Sequence, residues 1–370
     1  MRAFGIISSS GNHIHVEGMQ DYRSIGAFSF LGRYRAIDFP MSNMSNSGIE
    51  HVEVLMSNNP RSLVEHLGSG RHYNINSKRG KVQLLFTEGG AATSFYNTNM
   101  AGFAQNLESI QKAPADYVVI APGYMIYTQD YDKLLDQHIE SGADITLLYH
   151  SVETATEDFL NCDILTLNRQ NGVEGLTRNR GAEDSVKIFM DTYVMKKTLF
   201  LDLIAKARSI SSMYTLAQIV NNYCKELDVR GVEHVGYFAT LTDFKSVYKA
   251  NMSLIDYNNA KLLFDEKWPI YTRTSDSCPT QYYEEAEVKC SVVANGCLIQ
   301  GNLEGCVVGR GCTIGKDCVI KNCVISSDVV VADGTHLENL IVDKHARVLH
   351  AKEIIATPDN PGYVKRGDII

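Results

Sequence analysis

No excess of positive charge, no long apolar run and no paired-cysteine motif occurs in this 370-residue sequence. Asp and Glu number 43 against 35 Lys and Arg, a formal charge of −8. That balance argues against sequence-independent nucleic-acid binding, which rests on basic patches. The most apolar uncharged run, residues 117–129, falls short of the ~20 residues a spanning helix needs. The first residues, Met1-Arg2-Ala3-Phe4-Gly5-Ile6-Ile7, turn polar at Ser8, so no signal-peptide apolar region forms. Nine cysteines, an odd number, fit reduced thiols and a cytoplasmic location. Apolar residues at 44% and charged residues at 21% describe an ordinary globular protein and exclude disorder as the main state. At ~150 residues per domain, two or three domains are expected.

Two grammars divide the chain. In the first two-thirds, residues 2–7, 51–56, 117–121 and 144–150 read as short buried strands rich in Val, Ile and Leu. Helical patterns lie between them. Asn59-Pro60 offers an N-cap with Pro at N1, ahead of Leu63, Val64, Leu67 and Gly68. Tyr131, Leu134, Leu135, His138 and Ile139 recur at helical spacing and stop near Gly142. This alternation predicts a mostly parallel, helix-covered sheet with ligands beyond the carboxyl ends of its strands, at the turns after Ile7 and Ala121.

From residue 288 a six-residue period takes over. Val293–Cys297, Val308–Cys312, Ile314–Cys318 and Val331–Thr335 share one template: an aliphatic residue, Gly or Ala, turn residues, then a small residue. Val308, Ile314 and Ile320 are six apart, and Val331 and Leu337 resume the period after a slip at Ile325. That is the signature of a parallel β-helix. Six of the nine cysteines fall between Cys290 and Cys323 at separations of 7, 9, 6, 6 and 5, without the close pairs of tetrahedral zinc. Cys297, Cys312 and Cys318 instead hold the small-residue position, as small buried hydrophobes. Between the two regions, Phe244, Val247, Tyr248 and Met252 start a helix expected to reach about Phe264, and Trp268-Pro269-Ile270-Tyr271-Thr272 ends it. The expected division is 1–243, an α/β domain; 244–287, a helical connector; and 288–370, the β-helix. With no Gly/Ser tether, the domains are expected to dock.

Specific words then carry a resemblance. Gly32-Arg33-Tyr34-Arg35-Ala36-Ile37-Asp38-Phe39-Pro40-Met41-Ser42-Asn43, Asn46-Ser47-Gly48-Ile49, Gln105-Asn106-Leu107, residues 126–131, Ala250-Asn251-Met252 and Trp268-Pro269-Ile270-Tyr271 resemble, in order, segments of the bacterial glucose-1-phosphate adenylyltransferases. The resemblance implies a Rossmann-like nucleotidyltransferase domain followed by a left-handed parallel β-helix. It also implies chemistry that joins ATP and glucose 1-phosphate into ADP-glucose for glycogen synthesis. Such chemistry needs a Gly-rich phosphate loop, a phosphate-side cation and carboxylates for a divalent metal.

These parts are degraded. The loop falls on Ser10, Gly11, Asn12, His13, Ile14, His15 and Val16, with one glycine surviving of three and His15 in place of an arginine. The family's phosphate-side Lys falls on Ile25. The two metal-Asp positions fall on Tyr124 and Thr240. Losing metal carboxylates worth even ~4 kcal/mol of transition-state stabilisation slows a reaction about a thousandfold. Of the two related subunits some bacteria carry, the chain therefore resembles the GlgD type. The expectation is a regulatory subunit with no catalytic residue and no cofactor held by this chain. Mg2+ would be used by a catalytic partner in a heterotetramer, with a homo-oligomer of this chain as a further expectation.

Arg33, Arg35 and Arg71 are the candidate contacts to a phosphate or a sugar-phosphate effector, although an Arg-x-Arg strand equally suits an ion pair with Asp38. His13 and His15 read as a weak metal pair on one strand face. Asp243 reads as a helix N-terminal acidic residue, with a relocated metal ligand in a working nucleotidyltransferase as the alternative. A hexapeptide acyltransferase is the remaining reading, with His336, His345 and His350 as candidates and a trimer as its mark. Neither nucleic acid nor a membrane is an expected partner.

Overall fold

The computed structural model describes residues 2–9, 14–56, 59–76, 78–87, 98–211 and 213–370. In chain order the first region contains β1 (Ala3–Ser8), α1 (Asp38–Asn46), β2 (His51–Met56), α2 (Arg61–Leu67) and β3 (Lys81–Phe86). Next come α3 (Asn99–Gln105), α4 (Leu107–Lys112), β4 (Tyr117–Pro122), β5 (Met125–Tyr127), α5 (Tyr131–Ser141) and β6 (Ile145–Val152). Then follow β7 (Asp163–Leu167), β8 (Val173–Arg178), β9 (Val186–Lys196), α6 (Lys197–Ile210), α7 (Leu216–Tyr223), β10 (Val229–Glu233) and β11 (Phe238–Thr240).

Nine strands form one sheet. β4, β1, β2 and β3 lie side by side and parallel, and β10 is parallel to β6. The mostly parallel sheet is interrupted by β9, which runs antiparallel between β4 and β6, and by the β7–β8 hairpin. Helices cover both faces, so the central strands are buried on both sides; β1 and β2 are buried at every position. Phe4, Ile6 and Leu55 enter the core under α3 and α6. Ile7, Val52 and Val54 enter the opposite core beneath α1 and α5. Gly5 lets α1 come close, because a Cβ there would sit 2.6 Å from the Met44 sulfur.

Two local expectations differ from the structure. Asn59 does not cap α2: Pro60 takes the cap position, and the Asn59 amide donates to the carbonyls of Gln20 (2.9 Å) and Asp21 (3.1 Å). The helix expected from Phe244 to about Phe264 is two, α8 (Phe244–Ser253) and α9 (Tyr257–Leu263), because Asp256 caps a new start by accepting from Asn258 N–H at 2.8 Å. Both pack on the α/β core through Val247, Tyr248, Leu254 and Leu263. The Trp268 segment is pinned to α1, with Trp268 Nε1 donating to Asn43 Oδ1 at 2.9 Å.

The rest of the chain winds into a three-faced prism of parallel strands, five to a face. Its first strand, Gln281–Tyr282, already pairs with Leu298–Ile299, ahead of residue 288. Leu298 stacks on Thr313 after 15 residues, but Thr313 stacks on Val330 and Val330 on Arg347, so these later coils take 17, one short of three hexads. The slip at Ile325 is that missing residue. It recurs on the same edge between Leu337 and Val342, where Asn322 (φ 49°) and Asn339 (φ 55°) turn the chain in the left-handed region. Cys297, Cys312 and Cys318 occupy corners with no exposure, as expected, and Cys306 and Cys323 do the same. Their thiols donate to carbonyls inside the prism, Cys297 to Gly309 at 3.1 Å and Cys312 to Ser326 at 3.0 Å. All nine cysteines are free.

The α/β domain and the prism share one core. Val307, Val324 and Ile341 of one prism face join the cluster containing α1 and α8. Tyr248 Oη donates to the Asn322 carbonyl at 2.7 Å. Gly32 (φ 68°) passes so close to the prism that a Cβ would meet the Val308 carbonyl at 2.6 Å. At the centre, Arg23 and Asp343, 2% and 0% exposed, form an ion pair at 2.7 Å. Among the described residues no helix is long and apolar enough to cross a membrane.

Candidate functional site

The parallel pairing of β1 with β4 sets Ser8 beside Pro122, so the turns after Ile7 and Ala121 lie together at the carboxyl edge of the sheet. Their closeness is enforced at Gly123, where a Cβ would fall 2.1 Å from Ser9 Oγ. Ser10, Gly11 and His13 lie outside the described residues. His15 is exposed on irregular backbone rather than on a strand face, and its N–H donates to the Thr242 carbonyl at 3.2 Å. Ile25 is 1% exposed, packed in the core of a short 3-10 turn. An aliphatic side chain there supplies only apolar contacts.

Tyr124 and Thr240, far apart in sequence, meet here. β5 pairs antiparallel with β11, setting Thr240 opposite Met125, and the Leu241 N–H donates to the Tyr124 carbonyl at 2.9 Å. The two residues expected at the metal-Asp positions therefore lie side by side, and neither is a carboxylate. Tyr124 is 1% exposed, and its hydroxyl donates to Asp191 Oδ2 at 3.1 Å. Tyr193 donates to the other oxygen, Asp191 Oδ1, at 2.9 Å. Burial pushes the Asp191 carboxyl up to about 7, against the two tyrosine hydrogen bonds that favour its charged form. Burial likewise raises the Tyr124 phenol well above its ordinary range, so it stays a neutral donor. Thr240 is buried against the Cys162 thiol, which burial pushes up to about 12.

Asp163 and Arg178 pair at 3.0 Å on the same wall. The space left among Tyr124, Asp163, Arg178 and Asp191 is about 20 Å³. That holds about one water, which needs ~10–15 Å³ by the same measure. Divalent magnesium takes oxygen donors, carboxylates foremost. The Tyr124 phenol, bonded to Asp191, and the buried Thr240 hydroxyl supply no such carboxylate. Among the described residues no group of three or more His, Cys, Asp or Glu side chains is arranged to hold a metal.

Asp243 is engaged in a cap. It accepts the Ser246 N–H at 2.8 Å, and Ser246 Oγ accepts the Asp243 N–H at 3.0 Å. Arg33, Arg35 and Arg71 do not line the space beside Tyr124. Arg33 is exposed, its guanidinium over the Tyr34 ring at 5.7 Å. The Arg35 guanidinium donates to the Ser62 carbonyl at 2.6 Å and to its hydroxyl at 3.0 Å, and only the Arg35 backbone N–H reaches Asp38. Asp38 is the buried acceptor of Tyr73 Oη and His66 Nε2, each at 2.6 Å. Arg71 stands exposed in the turn just before Tyr73. Of the prism histidines, His336 lies between Glu353 (3.4 Å) and Glu338 (3.8 Å), and His345 faces Asp328 at 3.7 Å.

Asp191, Cys162, Asp163 and Arg178 carry no sequence signal that marks them as site residues. β9 brings Asp191 in at a left-handed φ of 45°, a conformation invisible in the residue order.

Comparison with known proteins finds relatives of both regions of the chain. Residues 23–158 match the nucleotidyl transferase family, and residues 278–360 match the GlmU-like C-terminal hexapeptide family. The chain is 32% identical to a glycogen biosynthesis protein GlgD of Geobacillus stearothermophilus, over 86% of this chain and 83% of that protein. It is 27% identical to the GlgD of Bacillus subtilis (strain 168), over 98% and 95% of the two chains. It is 30% identical to a glucose-1-phosphate adenylyltransferase of Clostridium perfringens (strain 13 / Type A), over 81% and 77%. At 30% identity or more over more than two thirds of the chain, the Geobacillus and Clostridium relatives place it in the glucose-1-phosphate adenylyltransferase family, among relatives that include the GlgD proteins.

Proposed function

We propose that this chain is a non-catalytic, regulatory subunit in glycogen biosynthesis, modulating the formation of ADP-glucose from ATP and glucose 1-phosphate by a catalytic relative in a mixed assembly. The observation that carries this reading is Tyr124. Its ring fills a metal-carboxylate position, and its hydroxyl is committed to Asp191 at 3.1 Å. Ile25 and Thr240 support it from the phosphate side and the second metal position. The alternative of a relocated metal on Asp243 is disfavoured because that carboxylate is held by Ser246.

Modulation has a physical route. Residues 14–35, which continue the phosphate loop, lie against the prism at Gly18, Arg23 and Gly32. A change in how the prism is held by a neighbouring subunit thus reaches the loop directly. Arg33, Arg35 and Arg71 remain the candidate contacts for an anionic effector. The coupling expected of such a subunit is about 5–150-fold in the partner's apparent affinity.

The test is ADP-glucose formation with ATP, glucose 1-phosphate and Mg2+, using this chain alone and then mixed with a catalytic glucose-1-phosphate adenylyltransferase. Silence alone with altered rate or activation in the mixture is the expected result. Robust magnesium-dependent turnover by the chain alone would overturn the reading.

A further inference from the structure

Two histidines outside the nucleotide site meet ring to ring. His150 stands near the end of β6, and His234 follows directly on β10, its N–H donating to the Tyr149 carbonyl at 2.7 Å. His234 is 3% exposed, and its Nδ1 lies 3.2 Å from the Nδ1 of the half-buried His150. His150 Nδ1 is also 3.1 Å from the His234 carbonyl, and His234 Nε2 is 3.1 Å from the Thr128 carbonyl.

These distances dictate where the protons are. A carbonyl only accepts, so His234 Nε2 carries hydrogen and the neutral ring offers a bare Nδ1. His150 Nδ1 faces that lone pair and a second carbonyl, so it carries hydrogen too. A relay therefore runs from His150 to His234 to Thr128. One added proton fits at His150 Nε2 without breaking any of these bonds. A second has only His234 Nδ1 to go to, which sets N–H against N–H and two positive rings 5.3 Å apart at a buried place.

Little nearby offsets that charge. Glu233 of β10 faces His150, but it is exposed and bonded to Ser151. β9 sets Ile188 opposite His150, and the loop after β6 adds Phe159, stacked on Phe238 at 5.5 Å. β5 presents Tyr127, whose phenol burial lifts to about 12 and so keeps neutral.

The position of the pair gives it leverage. His234 holds Thr128 at the end of β5, and the two rings pack on Tyr127 (5.6 Å) and Phe238 (5.1 Å). They thereby tie the β5–β11 ladder, which adjoins Tyr124 and contains Thr240, to the main sheet. The Tyr127 carbonyl accepts from Asn43 Nδ2 at 3.0 Å, and Asn43 Oδ1 holds Trp268, the one tryptophan of the chain.

We infer that the His150–His234 pair is a pH-sensitive clasp, closed while it carries at most one extra proton and released from the β5–β11 ladder when acidification adds the second. Burial depresses both imidazoles, His234 from 6.5 to about 4, so the folded chain favours neutral rings. The stability they contribute is complete above 6.5 and is lost as pH falls toward about 4. The inference does not depend on whether the nucleotide site turns over.

Trp268 fluorescence and amide hydrogen exchange of the full chain, followed from about pH 7.5 to about pH 4, test it. Protection of the Leu241 and His234 amides, corrected for intrinsic exchange, is expected to fall about tenfold or more, with a Trp268 shift at the same pH and the main-sheet amides still protected. His150→Gln and His234→Gln keep a neutral amide in the relay and remove the second charge. Both are expected to move the transition about one pH unit lower or abolish it, with far-UV circular dichroism confirming that each is folded. Imidazole nitrogen NMR of the native chain needs no variant: at about pH 7.5 His234 is expected as the neutral Nε2–H form. A charged or Nδ1–H ring there, protection unchanged throughout the titration, loss of protection in all amides together, or a transition that both Gln variants leave in place would each overturn the inference.

Discussion

At the scale of single residues, the site is governed by Tyr124 and the group it enlists. A phenol at position 124 brings a large apolar ring and one donor into the wall beside Asp163 and Asp191. The donor finds Asp191, whose two oxygens then serve Tyr124 and Tyr193. Because burial raises the folded-state pKa of Asp191 from 3.8 to about 7, the folded protein prefers the neutral acid. The stability it contributes is complete below the unfolded pKa and is lost as pH rises through about 7. Asp191→Asn, which cannot ionise, should therefore unfold later than the native protein at pH 8, by about 2–4 kcal/mol. The gap should close as pH falls toward 4. Urea titrations at pH 8, 6 and 4 check this; a gap that widens on acidification would contradict the assigned direction.

At the scale of elements, the prism shows how a repeat tolerates a missing residue. Its short edge needs one left-handed residue per coil, supplied by Gly305, Asn322 and Asn339 in three of them. In the first coil that residue is Cys290, exposed at φ 44°. A side chain other than Gly, Asn or Asp costs roughly 1–2 kcal/mol there. Cys290→Asn should stabilise the protein by about 0.5–1 kcal/mol with activity and assembly unchanged, read as a shift in denaturation midpoint. The elements that sequence periodicity describes well are those whose spacing follows from burial alone: β2 spans His51–Met56 as expected, and α5 ends at Gly142 in the left-handed region. The α8–α9 break escapes periodicity because it is a capping event, decided by whether Asp256 closes on its own backbone or faces solvent.

At the scale of the whole molecule, two domains act as one body because polar and apolar groups cross their boundary together. The Arg23–Asp343 pair is the critical crossing. Asp343 also accepts from Tyr363 Oη at 2.9 Å and from the Lys344 N–H at 2.7 Å, whereas Arg23 leaves Nε and Nη1 without partners. Removing one member strands the other charge in a dry interior. Arg23→Met should cost about 3–5 kcal/mol, and Arg23→Met with Asp343→Leu should recover most of it. Equilibrium unfolding of the two variants checks this; equal losses would mean that the pair contributes only through local packing.

What the sequence determined by itself was whatever rests on composition, period and word order. Apolar runs separated by caps define the α/β half, a six-residue beat defines the prism, and the words around Arg35-Ala36-Ile37-Asp38-Phe39 define the family. The identities of Ile25, Tyr124 and Thr240 were equally open to reading, since a missing charge is visible in the residue list. Only the tertiary structure decided what those side chains do. Whether Tyr124 points into solvent or into Asp191 depends on β9, which arrives from 67 positions away, as do the partners of Arg23 and of Arg35 from other segments. Local pattern fixes which face of an element is buried; it does not fix which side chain from another element meets it there, because that choice belongs to the packing of the whole chain.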